Sequence, residues 1–380
     1  MLAKAIKRSR IVRFLIDLRL TVVCLALLFV LTFLGTVHQY SFGLYSAQKE
    51  YFESFFTLVG GLLPLPGAQL VLWVLFVNLV AATIYRFSYK AKRVGILIIH
   101  GGLFALFFGM FFTQYFAQES FLELAEGEGR NVSTDYFHWE LAVWDADAAT
   151  RRVAAVDLAD LEATGSVRIE EYEIELALER VYHNAEAYMT QAEAGERERL
   201  NSSGIGLFQE LRVSSDPQEN FPGVLATVSG AGARVPLILY SRDLAPTSFL
   251  LGERRLSASL RRKAYQMPLT VTLQDFRAEF YPNSDVPASF ESDVLVTAPG
   301  SDRTVRISMN SPFRFEGYTF YQASYRIDAT GSEWSTLAVV ENRSRLVPYI
   351  GTGILGLGLA VHFTQVLAKR TRREGARNAA

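Results

Sequence analysis

Four apolar runs, Leu20–Val37, Leu70–Tyr85, Val94–Phe116 and Val347–Leu367, constrain this chain more than any other feature. A bilayer core about 30 Å thick is crossed by about 20 apolar residues in a helix, which satisfies its own backbone without water. The runs therefore predict four transmembrane α-helices. Residues 117–346, between the third and the fourth, have the composition of a soluble fold. Half of the 380 residues are hydrophobic and the formal net charge is -1. That balance points to no nucleic-acid partner, and it conceals a segregation of charge.

Basic residues crowd Lys4 to Arg19, Arg86 to Arg93 and Lys369 to Arg373. By the positive-inside rule these three clusters share the cytoplasmic side. The expected layout is a cytoplasmic N-terminus (1–19), a first span (20–37), an extracytoplasmic interfacial loop (38–69), a second span (70–85), a cytoplasmic loop (86–93), a third span (94–116), an extracytoplasmic domain (117–346), a fourth span (347–367) and a cytoplasmic tail (368–380). The first run ends in ThrValHisGlnTyr rather than a small-x-small site, which argues for a retained helix over a cleaved signal peptide. Aromatic residues and a GlyGlyLeuLeuProLeuProGly break in 38–69 predict a short surface helix followed by a turn, with His38 at the headgroups. Asn78, inside the second run, is expected to bond a neighbouring helix.

The extracytoplasmic domain alternates apolar and polar residues with period two at Val167–Leu178, Phe290–Thr297, Thr304–Met309, Tyr318–Ile327 and Ser335–Val340. Such alternation marks half-buried strands, so the domain is expected to be mainly antiparallel β, a sandwich or an open barrel. Glu186–Gly206 is charged and poor in apolar residues, and reads as an exposed loop. The single cysteine, Cys24, lies inside the first span. It excludes a disulfide framework, a CxxC redox pair and a CxxCH site for covalent haem, and is expected to be dispensable.

Two histidines stand inside spans. His100 lies roughly 10 Å into the membrane from Arg93 at 1.5 Å per residue, a depth at which ionisable groups face a protein interior or a ligand. It reads either as a neutral imidazole bonded to a neighbouring helix or as an axial ligand to haem. His362 lies seven residues before Lys369, as His100 lies seven after Arg93. The two would then sit at similar depth, as bis-histidine ligation requires and as chance also allows. Gly351, Gly358 and His362 share one helix face, with room for a neighbouring helix or a flat ligand.

The segments PheTyrProAsnSerAspValProAlaSerPheGluSerAspValLeuVal (Phe280–Val296) and IleSerMetAsnSerProPheArgPheGluGlyTyrThrPheTyrGlnAlaSerTyr (Ile307–Tyr325) resemble the signature of the ResB family. LeuArgLeuThr before the first span, HisGlyGly in the third and ValProTyrIleGly at the fourth are similar as well. The resemblance implies a haem-handling subunit of the system II cytochrome c synthase in a cell's inner membrane. Its implied partner is a tryptophan-rich CcsA/ResC-type membrane protein, and its implied substrate path is haem to apocytochrome c. In fused relatives a transmembrane histidine from each part is thought to hold non-covalent haem b near the cytoplasmic side. His100 matches the first of these, which leaves His362 the weaker candidate.

The tryptophan-rich motif itself is absent from this sequence. His138, Trp139, Trp144 and Asp145 have the wrong spacing and read as fold residues, as do Asn310, Pro312, Gly317, Tyr318, Phe320, Tyr321, Gln322 and Tyr325. No catalytic residue is therefore assigned, and any attachment chemistry is expected on the partner. The alternative from a different class is a membrane-anchored binding or sensing module without haem, a reading that the short tail after the fourth span, with no output domain in it, disfavours.

Overall fold

The computed structural model describes residues 9–148, 152–189, 204–284, 286–328 and 331–378. It divides into a helical unit, residues 1–117 with 342–380, and a β unit, residues 118–341. Four helices of the helical unit are long and apolar enough to cross a membrane.

After a short helix α1 (Arg10–Leu15), Asp17 caps α2 (Leu18–Ala47) by accepting the Arg19 amide at 2.9 Å. The helix does not stop at Val37, because nothing in the aromatic-rich sequence beyond it breaks a helix until Gly43. There φ is 81°, a backbone that side-chain-bearing residues avoid. The chain reverses at that point. A Cβ on Gly35 would lie 2.8 Å from the Phe52 ring, so residues 44–52 run back along the end of α2. A hairpin of β1 (Phe56–Val59) and β2 (Leu63–Pro66) follows, with Gly60 and Gly61 supplying the positive-φ turn. The segment expected as a surface helix and a turn is thus a helical reversal and a hairpin.

The next helix is α3 (Ala68–Ala81), which ends in a wide turn to Arg86. Asn78 anchors it: the side-chain amide donates to Leu15 O at 2.6 Å, and Thr21 Oγ1 donates to Asn78 Oδ1 at 2.7 Å. Cys24 is buried in the same seam with Leu31, Tyr51, Ala68 and Val71. Helix α4 (Val94–Phe116) meets α3 through stacked aromatics, with Trp73 and Phe111 ring centroids 4.0 Å apart. In chain order the β unit comes next. Among the described residues the β unit carries a short helix, α5 (Leu158–Thr164), and the last helix is α6 (Val347–Asn378).

Helices α4 and α6 pack by a different rule. Gly95, Gly102 and Gly109 recur every seven residues on α4 and face α6, whose Gly351 and Gly358 have the same spacing. A Cβ on Gly102 would stand 2.7 Å from Leu355 N, and one on Gly358 would stand 2.6 Å from Ile99 N. Backbone touches backbone along this seam, the close approach that small residues permit in lipid. Both ends are pinned, by Thr113 Oγ1 and Ser344 Oγ at 2.8 Å and by Gln365 Nε2 donating to Ala91 O at 3.1 Å.

The β unit is antiparallel throughout its described ladders. Its strands are β3 (Gln118–Ala125), β4 (Gly129–Asp145), β5 (Val153–Asp157), β6 (Ser166–Ile169), β7 (Ile174–Tyr182), β8 (Ala185–Met189), β9 (Ile205–Glu210), β10 (Gly223–Gly230), β11 (Ala233–Tyr240), β12 (Thr247–Leu251), β13 (Arg254–Phe280), β14 (Pro287–Ala298), β15 (Ser301–Ser308), β16 (Phe313–Phe315), β17 (Tyr318–Ile327) and β18 (Glu333–Glu341). The main sheet has the order β15-β14-β13-β4-β3-β18-β17-β16, with β12 on β13 and β5 on β4. A second sheet, β11-β10-β7-β6, covers one part of it, and β8 and β9 form a separate hairpin.

Two large apolar cores result, beside a small cluster of Ala185, Ile205 and Phe208. One joins Leu141, Val143 and Leu256 to Leu176, Val224 and Leu237, and the other gathers Leu122, Leu273, Val294, Ile307, Phe320 and Leu337. The 27-residue β13 lends its first part to one core and its last part to the other.

Two sequence expectations are corrected here. Val167 and Ile169 lie on one strand and Ile174, Leu176 and Leu178 on the next, but Tyr172, expected on a strand, lies in the turn of residues 170–173, where Glu173 has φ 56°. The stretch expected as a loop, Glu186–Gly206, begins and ends in strands β8 and β9, whose Phe208 and Ala185 bury against Tyr182 and Tyr240. Residues 190–203 lie outside the described residues.

Candidate functional site

His100 projects from α4 one turn after Ile96. Its Nδ1 lies 2.9 Å from Ile96 O, and a carbonyl only accepts, so Nδ1 carries the proton. The other nitrogen, Nε2, is left with its lone pair free to accept a bond or bind a metal. The ring is half-buried, with the Phe87 ring edge-on at a centroid distance of 5.9 Å. Next to it, Gly101 is exposed and a Cβ there would meet nothing within 4 Å. An imidazole whose Nε2 is left to accept, beside one uncovered helix position at Gly101, has the donor chemistry for a metal-bearing ligand.

His362 does not share that position. Its backbone packs on Gly95, where a Cβ would lie 2.5 Å from His362 N. In the antiparallel pair His362 is therefore level with Gly95, five residues and about 7 Å along the axis from His100. The matching distances to Arg93 and Lys369 predict equal depth. The inference fails because α6 continues as helix through Lys369 as far as Asn378, so that lysine marks no helix end. The shared face of Gly351, Gly358 and His362 is filled by α4, not by a ligand.

His38 is more than a headgroup residue. The reversal at Gly43 brings Ser46 Oγ to 3.1 Å and Glu50 Oε2 to 3.5 Å from His38 Nε2, while the ring stacks on Phe42. These contacts close the end of α2. They join residues whose meeting depends on the turn, so the sequence gives no sign of them.

In the β unit Trp139 and Trp144 pack as fold residues, Trp144 buried and Trp139 against the first core. His138 does not. Its ring reaches Asp135, which also receives Tyr265, and the ion pair lifts the imidazole above its ordinary pKa. Burial opposes ionisation of Asp135, but hydrogen bonds from His138, Phe137 and Tyr265 together hold its carboxyl well below the usual range. Burial and the Asp135 bond push the Tyr265 phenol upward. An Asp-x-x-His spacing was legible in the sequence; the contribution of Tyr265 from a distant strand was not.

The signature residues around Gln322 serve the sheet. Gln322 Oε1 accepts from Ser292 Oγ at 2.7 Å, and its amide donates to Ser335 Oγ at 3.0 Å and towards Ser324 O at 3.3 Å, fastening β14, β17 and β18 in the second core. Beside them Arg277 bridges Asp275, Glu291 and Asp293, and Arg306 also reaches Asp293. Asn310 stands in an exposed turn, and Gly317, at φ 93°, turns β16 into β17.

Comparison with known proteins meets these same strands. Residues 246–334, from β12 into β18, match the ResB-like family. A stretch of 95 residues is 30% identical to Protein NrfI of Wolinella succinogenes, covering 24% of this chain. It spans 10% of that relative's length.

Proposed function

From a chain whose residues 246–334 match the ResB-like family and that carries four helices able to cross a membrane, we propose a haem-handling subunit for cytochrome c biogenesis. In this reading it acts with a CcsA/ResC-type partner to pass haem across the membrane for attachment to apocytochrome c. The observation that carries the reading is the tautomer of His100, with Nδ1–H held by Ile96 O and Nε2 left as a donor. The residues present fit haem: one fixed imidazole, an aromatic edge at Phe87 and one uncovered helix position at Gly101. Haem would supply an iron with axial positions for such a donor.

The chain's own part follows from its packing. Ile96 O orients the ring and fixes its tautomer, and the glycine seam fixes α4 against α6 so that the donor does not wander. His362 lies level with Gly95, about five residues along the helix from His100, and in this reading any second donor to haem would come from the partner. The basic clusters favour cytoplasmic termini and an extracytoplasmic β unit. In this reading the chain presents and holds haem, and bond formation belongs to the partner.

The test is His100→Ala, co-expressed with the partner. The variant is expected to insert and accumulate but to lose its Soret absorption and cytochrome c maturation, with added imidazole restoring part of both. Unchanged haem content with normal maturation would remove the assignment. Loss of the single hydrogen bond to Ile96 O within α4, by contrast, costs only about 0.5 to 1.5 kcal/mol and gives imidazole nothing to coordinate.

A further inference from the structure

Helix α1 carries a surface that the helical unit does not cover. Its separation from α2 is a built elbow: Ile16 ends the helix at φ -94° and ψ 1°, and Asp17 is extended at ψ 130°. The carbonyls at this break are met by side chains from α3 and the turn after it. Asn78 Nδ2 donates to Leu15 O at 2.6 Å and towards Asp17 O at 3.3 Å, and Arg86 Nη1 donates to Ile16 O at 3.1 Å. With α1 held in this way, the roughly 100° step of a helix sorts its six residues into three strips. Val12 and Leu15 are half-buried, Ile11 and Phe14 are 71% and 61% exposed, and Arg10 and Arg13 form an exposed basic strip beside them. Past the elbow Leu18, also exposed, opens α2.

We propose that α1 is a docking surface for anionic phospholipid, lying in the headgroup layer with Ile11 and Phe14 among the upper acyl chains and Arg10, Arg13 and Arg19 on lipid phosphate. A short amphipathic helix with arginine on its polar side binds an interface in this manner. Two observations select lipid as the occupant. The first is position: the helix long and apolar enough to cross a membrane begins at Leu18, four residues after Phe14, so the exposed strip of α1 stands at the edge of the hydrocarbon. The second is charge. Residues 1–19 and 86–93 hold ten lysines and arginines and one acid, Asp17, whose side chain accepts the Arg19 amide. Such an excess repels a second copy of the same surface and attracts a leaflet with anionic headgroups, by about fivefold in affinity for each base near it. Guanidinium forks also match phosphate oxygens in pairs. The proposal does not depend on haem.

The measurement uses the full chain in nanodiscs of phosphatidylcholine, alone or mixed with phosphatidylglycerol. Cys24→Ala removes the single cysteine, and Ile11→Cys then takes one environment-sensitive fluorophore. Its emission is expected to shift to the blue and to be quenched by lipid spin-labelled near the top of the acyl chain. Mass spectrometry of the protein released from mixed discs should find phosphatidylglycerol retained. Arg10→Gln/Arg13→Gln should lower that retention at least tenfold, and Arg10→Lys/Arg13→Lys, which keeps the charge, less than threefold. Arg370→Gln is the control, an exposed base on α6 paired with Glu374, and should change retention less than twofold. All these variants keep Asn78 and Arg86, and with them the elbow. Water-like emission untouched by spin-labelled lipid would overturn the proposal. So would a blue shift without quenching in a protein with the mass of a dimer, which would give the face to a second copy. Equal retention by the wild type and the glutamine variant would remove the anionic headgroup from the site, and the proposal with it.

Discussion

The amide nitrogen of His362 packs against Gly95 so closely that a Cβ on the glycine would stand 2.5 Å away. That contact sets the register of α4 on α6 and separates the two intramembrane histidines along the helix axis. It also makes the glycine heptad the element on which the position of His100 depends.

Gly102→Leu is expected to lower accumulation in the membrane and the melting temperature in detergent, with a cost of about 1–3 kcal/mol for overpacking a tight seam. Gly101→Ala, one residue away, meets open space and should accumulate normally. Equal behaviour of the two variants would contradict the seam.

His362→Ala should keep the wild-type Soret band in the presence of the partner. Its backbone, not its imidazole, makes the contact with Gly95, and that contact survives the substitution. Loss of haem matching that of His100→Ala would restore bis-histidine ligation within this chain.

Cys24→Ala should support cytochrome c assembly, since the thiol is buried among Leu31, Tyr51 and Val71 and has no second cysteine to join. Cys24→Ser should be a little less stable, since a buried hydroxyl without a partner costs about 1–3 kcal/mol. Failed assembly by a Cys24→Ala protein that accumulates normally would reinstate a thiol function.

Alkaline phosphatase fused after Gly300 is expected to be active, and fused after Arg372 inactive. The reverse pattern would place the β unit in the cytoplasm and overturn the charge argument for sidedness.

Acid should loosen the outer strands of the second core. The hydrogen bond from Arg306, and then that from Arg277, hold the Asp293 carboxyl down to about 2. A depressed carboxylate contributes stability that is full above its unfolded pKa, about 3.9, and is lost as pH falls through 2. The melting temperature of the wild type should therefore drop between about pH 4 and pH 2. Asp293→Asn should show a shallower drop, and identical slopes would count against the ladder.

Periodicity and charge made much of this architecture legible. The start of α4 at Val94, the alternation of β14, β15, β17 and β18, and the capacity for four spans all follow from apolar spacing, which acts locally. What escaped was produced by chain reversals. Nothing in residues 38–52 announces that Gly43 folds Ser46 and Glu50 back onto His38, because a glycine's φ is set by what the flanking helices can bury. The seven-residue spacing of Gly95, Gly102 and Gly109 was present in the sequence, yet only its contact with α6 shows that it governs the register. Depth judged from basic residues misled for His362, since lysine and arginine extend a helix into water as readily as they end one.

One strand, β13, enters both large apolar cores of the β unit and is covalently continuous through 27 residues. Neither core can come apart by shedding an independent module, since the strand that would leave one is the strand that holds the other. The unit should therefore melt in a single calorimetric transition, and the amides of β13 in both cores should exchange with solvent at one common, slowest rate.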